Sequence, residues 1–179
     1  MHKLLIVVDM QNDFITGSLA NPDAEKIVPK IAEYIKNFDG MVIATKDTHF
    51  DDNYLEKQEG KRLPIPHCIW GTEGSKIVDD IQKALNDLSE FYCYKKGSFG
   101  ATNMAIDLAA SACRFHRTFN EIYICGTCTD ICVISNAILC KSFVPEAKII
   151  VLKDLCAGTT PENHENALKA MAQCQIDIE

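Results

Sequence analysis

The chain has 179 residues, of which 47% are hydrophobic and 24% are charged. This apolar content excludes an intrinsically disordered chain, and the length predicts a single domain over residues 1–179. The formal net charge of -7 argues against nucleic acid or an anionic membrane as a partner, because both are bound mainly through Lys and Arg.

The nine cysteines do not form the pattern of a disulfide framework. Their number is odd and most of them lie inside apolar runs, which predicts reduced thiols. The first apolar run, at residues 4–8, is too short for a secretory signal or a membrane span. We therefore expect a cytoplasmic protein.

Short apolar runs alternate with amphipathic patterns along the whole chain. Runs rich in β-branched residues are typical of strands buried on both faces, and they predict strands at residues 4–8, 41–45, 91–94, 122–125, 149–152 and 175–178. Apolar spacings of three to four predict helices at residues 23–38, 75–88, 104–115, 130–143 and 161–172. This alternation favours an α/β fold with helices around a mainly parallel sheet. Residues 49–74 form the longest irregular stretch, where we expect a functional loop.

Chemically active side chains follow four successive predicted strands. Asp9 follows the first strand, Asp47 and His49 follow the second, Lys96 follows the third, and Cys132 follows the fourth. Ligands of open α/β sheets gather at the carboxyl ends of the strands. We therefore expect these side chains to meet at one edge of the sheet.

Cys132 follows a Gly-containing turn and is predicted to lie in the first turn of a helix, with Thr129 or Asp130 as the cap. A helix N-terminus lowers the pKa of a thiol, and its free N–H groups can bind an oxyanion. Asp9 could accept the thiol proton and return it to a leaving group, while Lys96 holds this carboxylate and favours the thiolate. The alternatives are a buried structural thiol, a turn carboxylate and a solvated lysine.

Asp47 and His49 form a D-x-H pattern. Positions i and i+2 of an extended segment point the same way, so both side chains can reach one ion. His67 could return a third ligand from the long loop. Two imidazoles and one carboxylate leave coordination positions open, as in catalytic Zn²⁺ or Fe²⁺ sites. The alternative is that all three are polar loop or surface residues.

Cys125, Cys128 and Cys132 form a C-x2-C-x3-C pattern, which raises the alternatives of an iron–sulfur site, a zinc knuckle or a redox-active pair. These are disfavoured because Cys125 lies in a predicted buried strand and no second paired-cysteine motif exists. The remaining histidines are assigned no site role: His2, His116 and His164.

Five segments occur in order along nearly the whole chain: DMQNDF at residues 9–14, KDTH at 46–49, PHCIWGTEG at 66–74, KG at 96–97 and GTCTDICV at 126–133. Together they resemble the isochorismatase-like cysteine hydrolases and, within that superfamily, the nicotinamidases most. The resemblance implies a three-layer α/β/α fold with a six-stranded sheet that is Rossmann-like but binds no dinucleotide.

The resemblance also implies the roles of individual residues. It matches a catalytic triad to Asp9, Lys96 and Cys132, and the ligands of one divalent metal ion to Asp47, His49 and His67. The ion would be Zn²⁺, with Fe²⁺ or Mn²⁺ as alternatives, and a fourth ligand would be Glu56, Glu59 or water. A non-proline cis peptide between Thr127 and Cys128 is implied as well. It would turn the Cys128 N–H toward an oxyanion, beside the Cys132 N–H.

The implied reaction is the hydrolysis of nicotinamide. Its pyridine nitrogen would lie on the metal while Cys132 attacks the amide carbonyl, and Asp9 would protonate the departing ammonia and then activate water. Phe14 and Phe99 are candidates to flank the aromatic ring, and Trp70 is a weaker candidate.

Other functions remain open. The chain could be another amidase of the superfamily acting on a carbamoyl or ureido substrate, an isochorismatase proper, or a non-catalytic metal- or thiol-binding module. Amidases of carbamoyl or ureido substrates and isochorismatases proper generally lack the metal histidines. The presence of His49 and His67 therefore favours a nicotinamidase. Association into homo-oligomers also remains open, because the sequence shows no interface motif.

Overall fold

The computed structural model describes residues 2–50, 53–110 and 118–179. The six strands are β1 (Lys3–Val8), β2 (Met41–Asp47), β3 (Tyr92–Lys96), β4 (Glu121–Thr127), β5 (Lys148–Ala157) and β6 (Asp177–Ile178). They form one sheet in the spatial order β3-β2-β1-β4-β5-β6, and every neighbouring pair is parallel. The predicted six-stranded parallel sheet is therefore confirmed.

Helices cover both faces of this sheet. They are α1 (Asn12–Ile15), α2 (Pro22–Asn37), α3 (Gln58–Arg62), α4 (Asp79–Asn86), α5 (Thr102–Ala109), α6 (Ile134–Phe143) and α7 (Pro161–Gln173). Helices α2 and α4 pack together, and α6 packs against α5 and α7. The predicted three-layer α/β/α architecture is confirmed. No helix of the described residues is both long enough and apolar enough to cross a membrane.

Strand β1 lies at the centre of the sheet, between β2 and β4. Its residues from Leu4 to Val8 are all buried, because helices cover both of its faces. This burial explains the continuous apolar run, since a central parallel strand has no solvent-facing side. It also places Asp9, the next residue, in the middle of the carboxyl edge of the sheet.

Two helix predictions differ from the structure at their N-terminal ends. The helix predicted from residue 75 begins at Asp79, because Ile77 bridges to Gln11 and the Val78 N–H donates to the Met10 carbonyl. Backbone pairing of this kind keeps the segment extended. The helix predicted at residues 104–115 begins at Thr102, and residues 111–115 of the prediction lie outside the described residues.

The predicted long loop and fifth strand also differ in detail. The stretch at residues 49–74 contains a 3₁₀ turn at Tyr54–Glu56 and the short helix α3, so it is less irregular than expected. Strand β5 continues to Ala157, well beyond its predicted end, and pairs with β4 across a register shift between Ile124 and Gly126.

Gly126 of β4 lies against the backbone of Val8 in β1. Its φ angle is +120°, and a Cβ there would collide with the carbonyl oxygen of Val8. A side chain at this position therefore meets both a strained backbone and a steric overlap. Gly71 has a φ of +84° but open space around its Cα.

The substitution Gly126→Ala is expected to lower the free energy of unfolding by about 2 kcal/mol or more, because strain and overlap add. Gly71→Ala is the matched control and is expected to cost only about 1 kcal/mol, from the backbone conformation alone. Urea denaturation followed by circular dichroism measures both values. Equal losses in the two variants would contradict the close approach of β4 to β1.

Candidate active site

The structure brings together the side chains of Asp9, Lys96 and Cys132, which follow or end three different strands. The Lys96 Nζ lies 2.6 Å from Asp9 Oδ2 and 3.5 Å from Cys132 Sγ. All three residues are buried. The predicted meeting of a carboxylate, an ammonium group and a thiol at one edge of the sheet is therefore observed.

Asp9 is held from two sides. Its backbone has a φ of +49°, which turns the chain sharply at the end of β1, and its Oδ1 accepts a hydrogen bond of 2.7 Å from Thr45 Oγ1. Burial raises the pKa of Asp9 above its usual range, although the charge on Lys96 opposes the rise. A carboxyl group whose pKa is raised toward neutrality is suited to both accepting and donating a proton.

The thiol of Cys132 does not have the lowered pKa that its position at the start of a helix predicted. Burial raises the pKa of Cys132 well above its usual range, the charge on Asp9 raises it further, and Lys96 lowers it. Desolvation therefore outweighs the helix N-terminus. The resting group is a protonated thiol beside a carboxylate, so a nucleophilic thiolate requires transfer of that proton to a neighbouring base.

The turn that carries Cys132 has an unusual backbone. A cis peptide bond joins Thr127 to Cys128, and a π-helical turn at Thr129–Val133 precedes α6. The prediction of Thr129 or Asp130 as the cap is wrong, because the side chains of both are bonded elsewhere. Thr129 Oγ1 lies 2.8 Å from His164 Nδ1, and the Asp130 carboxylate accepts hydrogen bonds from the backbone and hydroxyl of Thr159.

A second cluster lies beside this group and consists of Asp47, His49, Glu59 and His67. Their ligand atoms all lie within 4.8 Å of one another. Asp47 Oδ2 is 2.7 Å from His49 Nε2 and 3.4 Å from His67 Nε2, and Glu59 Oε1 is 3.8 and 3.7 Å from the same two nitrogens. A tetrahedral Zn²⁺ separates its ligand atoms by roughly 3.3–3.6 Å, so this set of donors fits such an ion.

The hydrogen bonds of His67 also fit a metal ligand. Its Nδ1 lies 2.9 Å from the Ile65 carbonyl, which can only accept, so Nδ1 carries the proton. The lone pair of Nε2 is then free to bind a cation, since the partner of one ring nitrogen sets the state of the other. Tyr54 packs edge-on against both histidine rings and donates its hydroxyl to the Leu63 carbonyl.

Of the two glutamates proposed as a fourth ligand, the structure places Glu59 in the cluster. Glu59 lies in α3, half-buried, with its carboxylate facing both histidines. Glu56 is exposed in the preceding 3₁₀ turn and is not part of the cluster. The two side chains lie three residues apart in the chain, and only the path of the loop distinguishes them.

Lys96 connects the two groups of residues. Its Nζ lies 3.7 Å from Asp47 Oδ1 as well as beside Asp9. Burial alone would raise the pKa of Asp47, but its contacts with the His49 and His67 rings and the charge on Lys96 outweigh it and hold that pKa below its usual range. Asp47 is therefore ionised at neutral pH and available as a ligand.

Sequence reasoning missed the residue that fixes the backbone of Asp47. The Gln11 carboxamide donates to the Asp47 carbonyl at 2.9 Å and accepts from the Asp47 N–H at 2.7 Å, and it also donates to the Ser75 carbonyl. Gln11 belongs to the DMQNDF segment, so its position next to Asp9 was the available signal. Thr45, whose hydroxyl donates to the Asp9 carboxylate, had no sequence signal beyond its place near the end of β2.

A cavity of about 370 Å³ opens onto both groups of residues. Phe14 and Phe99 line it, as predicted for residues flanking a ring, whereas Trp70 is exposed, carries the Lys95 ammonium 3.6 Å above its ring and lines a different cavity. The remaining lining residues are Leu19, Ala20, Asn21, Pro22, Asp47, Glu59, Leu63, His67, Cys128, Ile131, Cys132 and Thr159. Those at positions 19–21 and 159 come from loops, and Pro22 begins α2; the approach of these residues to the site had no sequence signal.

The described wall of this cavity is mainly apolar and includes no Lys or Arg side chain. Its charged members are the carboxylates Asp47 and Glu59. An anionic ligand would find no ion pair here apart from a bound metal. The cavity therefore favours a neutral and largely apolar ligand.

The isochorismatase domain model matches residues 3–178. The chain belongs to the isochorismatase family. An uncharacterised isochorismatase family protein from Bacillus subtilis is 30% identical over 185 residues, covering 96% of this chain and 95% of the relative. The nicotinamidase/pyrazinamidase of Mycobacterium tuberculosis is 27% identical over 184 residues, covering 98% and 97%.

A solved structure of similar shape is the pyrazinamidase of Pyrococcus horikoshii in complex with zinc. It has a TM-score of 0.80 and 29% sequence identity, covering 100% of this chain and 99% of that one. The predicted resemblance to isochorismatase-like hydrolases, and among them to nicotinamidases, is confirmed.

The C-x2-C-x3-C pattern of this isochorismatase-family chain does not form a metal cluster. All eight cysteines in the described part of the chain are free, and Cys125 is fully buried in β4. Within the described ranges, the cluster of Asp47, His49, Glu59 and His67 is the one group of three or more His, Cys, Asp or Glu residues with converging ligand atoms.

Replacing Glu59 by Gln is expected to weaken the binding of Zn²⁺ to the metal-free protein about tenfold or more, because a neutral amide replaces an anionic ligand. Glu56→Gln removes the same charge three residues away and is expected to leave the affinity within about twofold. Isothermal titration calorimetry with Zn²⁺ measures both. An equal loss in the two variants would indicate a general effect of charge rather than coordination by Glu59.

Proposed function

We propose that this chain is a metal-dependent nicotinamidase, which converts nicotinamide to nicotinate and ammonia through a thioester on Cys132. The observation that carries the proposal is the shared cavity. The Cys132 thiol, which contacts the buried pair of Asp9 and Lys96, lines the same pocket as three members of a cluster of donors suited to a divalent ion, Asp47, Glu59 and His67. Two similar proteins are named nicotinamidase/pyrazinamidase and pyrazinamidase, which supports an aromatic amide as the substrate.

The first step is attack on the amide. Asp9 accepts the proton of the Cys132 thiol, and the sulfur forms a bond to the carbonyl carbon while the carbonyl electron pair moves onto oxygen. The backbone N–H groups of Cys128 and Cys132 hold this oxyanion. In support, the Cys128 N–H finds no protein acceptor among the described residues, so it is free to donate.

The second step releases ammonia and then nicotinate. Asp9 returns its proton to the amide nitrogen as the carbon–nitrogen bond breaks, which leaves the thioester. Asp9 then accepts a proton from water, whose oxygen attacks the thioester carbon, and as the carbon–sulfur bond breaks Asp9 returns this proton to the sulfur of Cys132. Lys96 remains protonated throughout and holds the Asp9 carboxylate, since its neighbouring anionic groups raise its pKa although burial opposes them.

The apolar cavity binds the aromatic ring between Phe14 and Phe99. Asp47, His49, Glu59 and His67 would hold the divalent ion, of which Zn²⁺ is the best match for the nitrogen and carboxylate donors. When bound, this ion supplies a Lewis-acidic contact for a neutral ring nitrogen. The rest of the pocket excludes water and orients the carboxamide toward the thiol.

A second candidate function is hydrolysis of a carbamoyl or ureido acid. The cavity disfavours it, because such substrates carry a carboxylate and the described wall offers no Lys or Arg to pair with it. A non-catalytic metal- or thiol-binding module would not require the buried contact of Lys96 with both Asp9 and Cys132.

Ammonia release from four amides tests the substrate. Nicotinamide and pyrazinamide are expected to be hydrolysed, with kcat/KM at least about a hundredfold above that for N-carbamoylsarcosine and ureidoacrylate, since the two acids would bury an unpaired charge. A preference for either acid would overturn the nicotinamidase proposal in favour of the second candidate. Turnover of none of the four would favour the binding module.

Cys132→Ala is expected to reduce nicotinamide hydrolysis by at least about a thousandfold, because it removes the thiol that lies beside Asp9 and Lys96 and forms the thioester. Cys140→Ala is the matched control, since it removes a buried thiol from α6 that lies outside the cavity. Mass spectrometry of the rapidly quenched wild-type protein should detect an acyl group on the Cys132 peptide. Substantial activity in Cys132→Ala would exclude covalent catalysis by this residue.

Removal of metal with a chelator is expected to abolish nicotinamide hydrolysis, and addition of Zn²⁺ is expected to restore it. The loss should appear chiefly as a higher KM, because the ion is assigned to substrate binding rather than to the attack by sulfur. Metal content by plasma mass spectrometry accompanies each assay. Unchanged kinetics in protein shown to be metal-free would remove the ion from the proposal.

A further inference from the structure

Asn136 is a fully buried polar residue of α6 that the mechanism does not use. Its Oδ1 accepts a hydrogen bond of 2.9 Å from the Ala101 N–H. Its Nδ2 donates to the Cys132 carbonyl at 2.8 Å and to the Phe99 carbonyl at 3.3 Å. One side chain thus satisfies three backbone groups that lie in two separate segments.

The two segments that Asn136 joins both border the cavity. One is the π-helical turn that carries Cys132, and the other is the stretch from Phe99 to Ala101 that leads into α5. The distance between the sulfur and the Phe99 ring depends on how these segments are spaced. Within the described ranges, Asn136 is the side chain that hydrogen-bonds both the Cys132 carbonyl and this stretch.

Phe99 separates two spaces. It lines the 370 Å³ cavity on one side and an open groove of about 900 Å³ on the other, where Gly97, Gly100, Ile138 and Leu139 are among the neighbours. The side chain of Phe99 is 46% exposed, so packing alone holds it weakly. A shift of its backbone would therefore connect the cavity to the groove.

Ser135 offers a natural comparison in the same turn. Its Oγ donates to the Ile131 carbonyl at 2.6 Å, also four residues back along the chain. Side chains of this type commonly bond the carbonyl one turn earlier in a helix. Ser135 thus supports the turn before α6 but, unlike Asn136, makes no hydrogen bond to the segment that contains Phe99.

We propose that Asn136 is a positioning residue that holds the wall formed by Phe99 at a fixed distance from Cys132, and so limits the size of the amide that the pocket accepts. This inference rests on the proposed function for its choice of substrates. It assigns no contact between Asn136 and the substrate, because the residue acts through Phe99.

The test compares nicotinamide with quinoline-3-carboxamide, a neutral amide that has one additional fused ring. Asn136→Thr keeps a hydroxyl that can bond the Cys132 carbonyl but cannot reach Phe99 or Ala101, and Asn136→Ala removes both links. In each variant, the kcat/KM ratio of the larger to the smaller amide is expected to rise about fivefold or more, because the wall is no longer fixed. Ser135→Ala is the control, in which this ratio should stay within about twofold of the wild type.

A double-mutant cycle with Phe99→Ala shows whether Asn136 acts through the ring. Phe99→Ala alone should raise the same ratio, and adding Asn136→Thr to it should change the ratio no further. Independent effects of the two substitutions would overturn the proposal, as would a wild-type ratio in Asn136→Thr. Circular dichroism and thermal unfolding accompany every variant, and an Asn136→Thr protein that does not fold would assign the residue to stability instead.

A second readout does not depend on hydrolysis. Iodoacetamide and N-phenyl iodoacetamide alkylate thiols, and mass spectrometry of the Cys132 peptide gives the rate for each reagent. The rate ratio of the bulky to the small reagent is expected to rise in Asn136→Thr and to stay unchanged in Ser135→Ala. If wild-type protein hydrolyses no nicotinamide, the proposed function fails and this ratio still decides the role of Asn136. If the wild-type protein hydrolyses nicotinamide, and neither the kcat/KM ratio nor the alkylation-rate ratio changes in Asn136→Thr, only the role proposed for Asn136 fails.

Discussion

The buried ammonium group of Lys96 is the charge around which the rest of the site is arranged. It lies 2.6 Å from Asp9, 3.5 Å from the Cys132 sulfur and 3.7 Å from Asp47. Because an unpaired buried charge costs several kcal/mol, such a lysine is stable only where carboxylates reach it with good geometry. The sheet provides that geometry. Strands β3, β2, β1 and β4 are neighbours in this order, and Asp47 stands directly opposite Lys96 in the register of β2 and β3.

This arrangement couples the group of Asp9, Lys96 and Cys132 to the cluster of Asp47, His49, Glu59 and His67. Asp47 contributes one oxygen to the histidines and faces Lys96 with the other, so an ionised Asp47 serves both groups at once. Asp9 has no such histidine partners, and burial raises its pKa while that of Asp47 is held low. Two carboxylates a short distance apart thus differ in their pKa because of their surroundings, which suits one to the proton carrier and the other to the charged ligand of the proposed function.

The contrast between the polar edge of the sheet and the apolar cavity above it explains how the site can select its ligand. The cavity provides aromatic and aliphatic walls, and its described lining offers no cation to an incoming acid. Charges buried beside such a cavity interact more strongly than they would in water, since the surroundings screen them less. A neutral aromatic amide suits both parts, because its ring replaces water in the cavity and its carboxamide reaches the thiol. The family relationship and the physical character of the pocket therefore support the same class of substrate.

The sequence by itself determined the alternation of elements, the parallel sheet, and the residues of the two groups at its edge. Buried strands require continuous apolar runs, and parallel strands bring the residues at their carboxyl ends to one edge, so local pattern contains this information. The tertiary structure decided which of Glu56 and Glu59 faces the histidines, that Trp70 stacks on Lys95 away from the cavity, and that desolvation raises the pKa of Cys132. It also decided that the Asn136 carboxamide joins the turn of Cys132 to Phe99, which lies 37 residues before Asn136 in the chain. These features depend on how loops and helices pack against one another, and no periodicity within a single segment records the distance between two segments.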